Sequence, residues 1–342
     1  MGEGKTARET AMIVDIYTHI FPATAYEKMT AMSADLGNIG KRIANMKFLH
    51  DLDGRFREMD TYGDYRQIIS LPNPPLEDVM TPEQGTEVAK IANDAMAELV
   101  QKHPDRFPAF VAAISMLDMD GALAELDRAV TKLGAKGVQV FTNVAGRPLD
   151  SPEYDPVFEA MWKFGLPIWM HPVRTSASSD YASEQLSRFE AWTIMGWPYA
   201  TSVAMLRLVI TGLFDRYPGI KIITHHMGGN IPFHEGRVDN AFANMGRRTV
   251  DEDYLSLKNA LRRPPIDYFR MFYADTAMHG AVAPLLCGLE FFTANNVVFA
   301  SDAPFASIGK CIAAVERLAL DADTEHKIHA GNAARLMNIS FD

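Results

Sequence analysis

Cysteine and long apolar runs are both scarce in this sequence of 342 residues. Its two cysteines, Cys287 and Cys311, are too few to form a disulfide scaffold. No apolar run approaches the ~20 residues that a membrane-spanning helix needs, and the apolar stretch at residues 12–16 is too short for a signal peptide. The sequence therefore predicts a protein of the reducing cytoplasm that has no membrane span.

Basic clusters are absent as well, apart from the pair Arg262 and Arg263. The 33 basic residues are outnumbered by 43 acidic ones, which gives a formal net charge of −10. Because nucleic-acid-binding domains carry a basic patch or stripe, we expect no nucleic-acid partner. What is present is an ordinary globular composition, 48% hydrophobic and 22% charged, which is enough for a full core.

The hydrophobic pattern is that of alternating strands and helices. Eight short apolar runs are mostly continuous, which is typical of strands covered on both faces in a parallel sheet. They lie at residues 13–19, 66–71, 107–115, 137–142, 167–171, 221–226, 271–275 and 297–302. Longer stretches with helical spacing lie at residues 82–102, 120–133, 152–164, 200–217 and 280–293. These alternations predict an α/β fold, a single (β/α)8 TIM barrel.

The domain organisation follows from the same pattern. An open doubly wound sheet is the alternative, but the glycine-rich turn common in such sheets does not follow the first predicted strand. The segment at residues 21–65 is long for one connection, and we expect it to form a small cap inserted after the first strand. Residues 1–11 are predicted to be a flexible N-terminal tail, and residues 12–342 to form one domain.

Histidine or aspartate stands at the ends of several predicted strands. His19, His171 and Asp302 end the first, fifth and eighth strands, and the pair His225 and His226 ends the sixth. In (β/α)8 barrels the chemistry sits at the carboxyl ends of the strands. A single histidine there is usually structural, but imidazoles and a carboxylate together suit Zn²⁺ or a similar divalent ion. The pattern therefore predicts a metal site.

Side-chain alternation along a strand sharpens this prediction. His225 and His226 are neighbours, so they should point to opposite faces, and only one should enter the barrel. We expect His225 to face the helices and to be structural. Asp275, at the end of the seventh predicted strand, either lies beside the site or has a structural hydrogen-bonding role.

Three sequence motifs carry a family resemblance. They are DIYTHIFP at residues 15–22, HMGG at residues 226–229 with Arg237 downstream, and FASDAPF at residues 299–305. Through them the sequence resembles the decarboxylase-rich branch of the amidohydrolase superfamily, which includes aminocarboxymuconate-semialdehyde decarboxylase and γ-resorcylate decarboxylase. The resemblance runs from about Met12 to the end of the chain.

The resemblance implies a metal centre and a catalytic pair. His19 corresponds to the second histidine of the family's His-x-His metal motif, and His171 to the ligand on strand five. Asp302 corresponds to the aspartate on strand eight, which binds metal and exchanges a proton. His226 corresponds to the catalytic histidine that begins a His-x-Gly-Gly turn. The implied cofactor is one divalent ion, with Zn²⁺ preferred and Mn²⁺ as the alternative.

The resemblance also implies how a substrate is held. Arg237 corresponds to an arginine that reaches a substrate carboxylate across a dimer interface, so a homodimer is expected. Apart from the resemblance, Arg237, or Lys47 or Arg55 of the inserted segment, could offset the repulsion between this acidic protein and an anionic substrate. Trp192 and Trp197 fall in an aromatic segment whose rings line the pocket.

Tyr17 is a departure from the family pattern, because it stands where the first histidine of His-x-His is expected. Tyrosine is a poor ligand, since its phenol must lose a proton with a pKa of about 10. Tyr17 either ligates the metal, bonds to a water on the metal, or packs in the mouth of the barrel. We favour the last arrangement, with His19, His171 and Asp302 as the protein ligands.

The leading functional hypothesis is non-oxidative decarboxylation of an aromatic or unsaturated carboxylic acid, of the hydroxybenzoate or carboxymuconate type. The alternative is metal-dependent hydrolysis of a lactone, amide or ester, or a hydration, by the same residues. A third hypothesis is a metal-free binding barrel in which Tyr17 marks a lost site.

Overall fold

Eight parallel strands form the centre of the computed structural model, which describes residues 12–33, 35–250 and 252–341. One sheet has the order β1-β2-β3 and the other β10-β9-β8-β7-β4, and β5 and β6 form a separate antiparallel hairpin. The strands are β1 Ile13–His19, β2 Tyr65–Ser70, β3 Ala109–Phe110, β4 Val138–Phe141, β5 Asn143–Val144, β6 Arg147–Pro148, β7 Ile168–His171, β8 Ile222–Thr224, β9 Tyr273–Asp275 and β10 Val297–Val298. The predicted tail at residues 1–11 lies outside the described residues.

Backbone bridges join the edges of the two parallel sheets. Thr18 of β1 pairs with Ala303, just after β10, and Ala112, just after β3, pairs with Val138 of β4, both in the parallel sense. The amide of His19 donates to the carbonyl of Ala303 at 2.7 Å. The eight parallel strands therefore follow one another around a ring, and the predicted (β/α)8 barrel is confirmed.

Helices connect successive strands. They are α1 Ala23–Met32, α2 Gly37–Asn45, α3 Leu52–Met59, α4 Leu76–Val79, α5 Pro82–Lys102, α6 Met119–Thr131, α7 Asp155–Phe164, α8 Ala191–Ile194, α9 Gly196–Ile210, α10 Leu213–Arg216, α11 Glu235–Ala243, α12 Tyr254–Ala260, α13 Pro265–Phe269, α14 Ala283–Phe292, α15 Ile308–Glu316, α16 Ala322–His326 and α17 Asn332–Met337. Among the described residues, none of these helices combines the length and apolarity required to cross a bilayer.

Local sequence signals explain where the elements begin and end. All seven residues of β1 are buried, as the continuous apolar run at residues 13–19 predicts. Helix α5 begins after Thr81, whose side chain and that of Gln84 form a reciprocal capping box. Strand β10 ends at Val298 and is shorter than predicted, and Asp302, which has a left-handed backbone with φ of 66°, lies beyond it.

The long connection between β1 and β2 contains helices α1, α2 and α3. On α2, Arg42 donates to the backbone carbonyl of Phe305 at 3.4 Å, and its guanidinium lies 4.8 Å from the centre of the Phe305 ring. Phe305 is three residues beyond Asp302. The connection therefore contacts the end of the barrel at which the strands finish.

A buried carboxylate ties the first strand to the last. Asp15 accepts hydrogen bonds from the hydroxyl of Tyr65 at 2.5 Å and from the amide of Ser301 at 3.0 Å. Burial raises the pKa of Asp15 to about 6, although these hydrogen bonds oppose the shift. This network fixes the turn after β10, on which Asp302 stands, relative to β1.

Candidate metal centre

Four buried side chains meet at the carboxyl ends of the barrel strands. They are His19 at the end of β1, His171 at the end of β7, His225 just after β8, and Asp302 after β10. One nitrogen or carboxylate oxygen from each lies within 4.8 Å of the others. Three imidazoles and a carboxylate are ligands that Zn²⁺ and similar divalent ions accept, so the group fits the implied metal.

The three imidazoles are oriented in the same way. Each Nδ1 faces an oxygen outside the cluster: that of His19 lies 3.2 Å from the carbonyl of Leu71, and that of His171 lies 2.7 Å from the carbonyl of Pro172. The Nδ1 of His225 lies 2.5 Å from Oδ2 of Asp275. An oxygen partner at Nδ1 sets the tautomer and leaves Nε2 as the available ligand atom.

The Nε2 atoms converge on Asp302. That of His19 lies 3.2 Å from Oδ1 of Asp302, and that of His225 lies 3.5 Å from the same oxygen. Both nitrogens are buried and have no hydrogen-bond partner of acceptable geometry among the described residues. Buried polar atoms are normally satisfied, so these orphaned nitrogens indicate a place for a cation.

The pKa values of Asp302 and His225 also indicate a place for a cation. Burial alone would raise the pKa of Asp302, but the surrounding His19, His225 and His226 hold it well below its usual range. Burial lowers the pKa of His225, yet the carboxylates of Asp275 and Asp302 outweigh it and raise this pKa to about 9. Without a metal, the protonated His225 therefore offsets part of the charge on these two carboxylates, and a bound cation would take over that role.

His171 has the ionisation that a ligand needs. Its burial, together with the neighbouring His225 and His19, lowers the pKa of His171 well below its ordinary value. The imidazole is therefore neutral at physiological pH and can offer its Nε2 lone pair to a metal ion.

Tyr17 lies among the three imidazoles. Its ring centre is 4.1 Å from that of His225, 5.4 Å from that of His19 and 5.7 Å from that of His171. The hydroxyl is buried without a hydrogen-bond partner among the described residues. Burial, with smaller effects of Asp275 and Asp302, raises the pKa of Tyr17 well above 10. In the metal-free protein the phenol is therefore protonated, and its role towards a metal stays a prediction.

The expected orientation of His225 is wrong. Strand β8 ends at Thr224, and His226 has a left-handed backbone with φ of 53°, so alternation along the strand does not extend to this pair. His225 is fully buried and faces the cluster. His226 also reaches the site, with Nε2 3.9 Å from Oδ2 of Asp302 and a side chain that is 14% exposed.

Two further residues complete this side of the site. Asp275 lies beside the site, which is one of the two roles expected for it. Its Oδ2 contacts Nδ1 of His225, and its Oδ1 accepts a hydrogen bond from the amide of His226 at 3.0 Å. His279, for which the sequence offered no placement, stacks on His226 with ring centres 5.5 Å apart. One nitrogen of each ring lies within 4.8 Å of Asp302.

A cavity of about 260 Å³ lies next to the cluster, although none of the four cluster residues lines it. Trp192 and Trp197 line it, as do Leu36 and Ile39 of the connection between β1 and β2. The Trp197 ring centre is 5.7 Å from that of His171. The family resemblance implied that both rings line the substrate pocket, and that role stays a prediction.

Two other lining residues had no signal in the sequence. Asn73 places its side-chain nitrogen 3.1 Å from Nδ1 of His171. Arg174, three residues after His171, lines the same cavity. Both could have been found only from the position of the loops that follow β2 and β7.

The three expected cationic residues do not line the cavity next to the cluster. Arg237 on α11 is exposed and lines a groove of about 610 Å³ that none of the four cluster residues borders. Arg55 is buried and donates to the backbone carbonyl of His19 at 2.5 Å. Lys47 is exposed and lines no cavity described here. Within one chain, none of the three is placed on the cavity beside His171.

Known proteins are similar to this chain in sequence and in fold. The amidohydrolase family model matches residues 14–339. The γ-resorcylate decarboxylase of Polaromonas sp. (strain JS666) is 33% identical over 299 residues, which cover 84% of this chain and 87% of that protein.

Two solved structures extend the comparison. The 5-carboxyvanillate decarboxylase LigW from Sphingomonas paucimobilis has a TM-score of 0.81 at 26% identity, covering 96% of this chain and 100% of that chain. The second is a dihydroxybenzoic acid decarboxylase from Polaromonas sp. JS666, solved with manganese and the inhibitor 2-nitroresorcinol. It has a TM-score of 0.78 at 27% identity, covering 96% of this chain and 97% of that chain. The resemblance found in the sequence is confirmed, and the chain belongs to the amidohydrolase family.

Proposed function

We propose that this chain is a metal-dependent, non-oxidative decarboxylase of an aromatic or unsaturated carboxylic acid. The observation that carries the proposal is the convergence of His19, His171 and Asp302 beside a cavity walled by tryptophan rings. The relative from Polaromonas named for γ-resorcylate supports the substrate class of hydroxybenzoates. Carboxymuconate-type acids are the second member of the proposed class.

The resident metal is proposed to be Zn²⁺, with Mn²⁺ as the alternative. The imidazoles of the cluster favour Zn²⁺, whereas a relative solved with manganese supports the other ion. When bound, such an ion supplies positive charge that orients the substrate carboxylate and offsets negative charge developing in the reaction. His19, His171 and Asp302 are the residues proposed to hold it.

The chemical step requires a proton at the carbon that bears the carboxylate. We infer that Asp302 or His226 delivers it, since Asp302 belongs to the cluster and the partly exposed His226 lies 3.9 Å from it. A new C–H bond forms, the C–C bond to the carboxylate breaks, and its electron pair returns to the ring or alkene as CO₂ leaves. Each turnover therefore consumes one proton.

The cavity is suited to a flat substrate. Trp192 and Trp197 present their rings to it, with ring centres 6.1 Å apart, and aromatic walls favour stacking with a planar acid. Leu36 and Ile39 close another side, which supports the inference that residues 21–65 act as a cap over the barrel mouth. Tyr17, buried beside the cluster, is proposed to help shape the floor of this pocket.

CO₂ release tests the proposal directly. Metal-loaded protein should convert at least one acid in a panel of hydroxybenzoates and carboxymuconate-like acids, with CO₂ equal to the acid consumed. Gas-phase CO₂ detection and chromatography of the products would measure this. Hydrolysis of a lactone, amide or ester without CO₂ would replace the proposal with a hydrolase, and a wild-type protein that binds no metal would favour a binding barrel.

The proposed setting is a cytoplasmic homodimer. The low cysteine content supports the location. Around Arg237 the groove is lined by Phe242, Met245 and Tyr254, and the nearby Phe233 is 80% exposed. Exposed apolar surface of this kind marks protein interfaces. We infer that Arg237 of one protomer serves the cavity of its partner.

Mixed dimers test the role of Arg237. Arg237→Ala and Asp302→Asn should each be nearly inactive alone, because every site lacks one essential group. After subunit exchange, half of the dimers should hold one intact site, restoring about a quarter of wild-type activity in a symmetric dimer. Light scattering would confirm the dimer, and the absence of any recovery would exclude action across the interface.

A further inference from the structure

His225 directly precedes His226 in the sequence. Its burial and its contacts differ from those expected of a structural histidine. His225 is fully buried, and its Nε2 points at the oxygen of Asp302 that His19 also approaches. Its ring centre lies 5.0 Å from that of His171. His225 is therefore a member of the cluster, equivalent in placement to the two histidines already proposed as ligands.

Asp275 fixes His225 in this orientation. One carboxylate oxygen of Asp275 lies 2.5 Å from Nδ1 of His225, and the other accepts from the amides of His226 at 3.0 Å and Ala277 at 3.1 Å. The carboxylate is fully buried and thus has no freedom to turn away. Metal-binding histidines characteristically donate Nδ1–H to a carboxylate or carbonyl in this manner.

His225 makes no hydrogen bond of acceptable geometry with the described residues through its second ring nitrogen, which lies 3.5 Å from Oδ1 of Asp302. This Nε2 is buried, and that of His19 likewise lacks such a hydrogen bond. A structural histidine would be expected to use both ring nitrogens in hydrogen bonds when buried. Carboxylate support on Nδ1, together with a buried Nε2 that is directed at the cluster and lacks a well-formed hydrogen bond, is the arrangement of a ligand.

We propose that His225, positioned by Asp275, is a fourth protein ligand of the metal, and that it compensates for the tyrosine at position 17. The ligands would then come from the ends of β1, β7, β8 and β10, with one from each strand. The inference rests on the proposal that this chain holds a metal, but not on which reaction the chain catalyses.

Metal affinity, measured by competition with a chromogenic chelator, tests the ligand assignment. His225→Ala should weaken Zn²⁺ binding by at least about 100-fold, the upper end of the cost of losing an outer partner. Asp275→Asn should weaken it about 10- to 100-fold, because the imidazole stays but loses its support. Tyr17→Phe and His226→Ala are the matched controls, and their affinity should be unchanged.

Chemical rescue separates a lost ligand from a damaged fold. Free imidazole should restore metal binding to His225→Ala, because it can occupy the space left by the side chain, and should not restore it to Asp302→Asn. Circular dichroism of the metal-free variants checks folding. If His225→Ala does not fold, His225→Asn and the Co²⁺ absorption spectrum of Asp275→Asn supply the same comparison.

Each outcome decides a distinct point. Unchanged affinity in folded His225→Ala, or a loss in Tyr17→Phe as large as that expected for His225→Ala, would overturn the ligand assignment. A wild-type protein that binds no metal would refute the metal proposal itself. A wild-type protein that binds one metal through His225 but releases no CO₂ would refute only the decarboxylase.

Discussion

Replacing Asp302 with asparagine is expected to abolish turnover while the barrel stays folded. The substitution keeps the size of the side chain but removes the charge that lies 3.2 Å from His19 and 3.5 Å from His225. It also removes a group that can accept and deliver a proton. We expect kcat to fall by about 10³-fold or more, since loss of proton transfer alone costs about 10²- to 10⁴-fold.

Steady-state CO₂ release and metal content, measured on the same preparation, check this result. Asp321→Asn is the matched control, because Asp321 caps the exposed start of α16 and lies outside the cluster. It should retain wild-type turnover and should cost only about 1 kcal/mol or less of stability, as cap losses do. A metal-loaded Asp302→Asn protein with wild-type kcat would remove Asp302 from the mechanism.

His226→Gln is expected to give the second-largest loss, with the metal retained. Nε2 of His226 lies 3.9 Å from Asp302, and the side chain is partly exposed and stacks on His279. His226 can therefore exchange protons without occupying a ligand position. Glutamine can still form hydrogen bonds but cannot carry a proton between solvent and substrate. We expect kcat to fall about 10²- to 10³-fold, within the range for general acid–base groups.

The split between turnover and metal content is the decisive readout for His226. Kinetic assays and elemental analysis on one sample should show low kcat and full metal occupancy. His326→Gln provides a matched control at an exposed site on α16, where both quantities should match the wild type. Loss of metal as severe as that expected for His225→Ala would make His226 a ligand instead.

The architecture was predictable from the sequence because its signals are local. The buried run that forms β1 matches residues 13–19 end to end, and Pro82–Lys102 is bounded by a capping box at one end. Strand β10 was predicted too long, since Phe299 and Ala300 lie beyond it and are still buried. Hydrophobicity reports burial, and burial continues past the end of a strand.

The site was predictable only in part. His19, His171 and Asp302 were found from their places at strand ends, and the structure brings them together. The orientation of His225 was predicted wrongly, because the alternation rule was extended beyond Thr224 into a turn with a left-handed residue. Contacts such as that between His226 and His279 depend on how two loops pack, and no spacing in the sequence reports them.

The pairing between the first strand and the segment after the last strand also affects how this protein folds. Thr18 and Ala303, which form this pairing, are the sequence neighbours of His19 and Asp302. His19 is synthesised well before Asp302, because the two residues lie far apart in the sequence. Ring closure is a contact of very long sequence separation, which is a slow step in folding. A metal ion held by both residues would therefore bind only after the ring has closed, and it would oppose reopening of the ring.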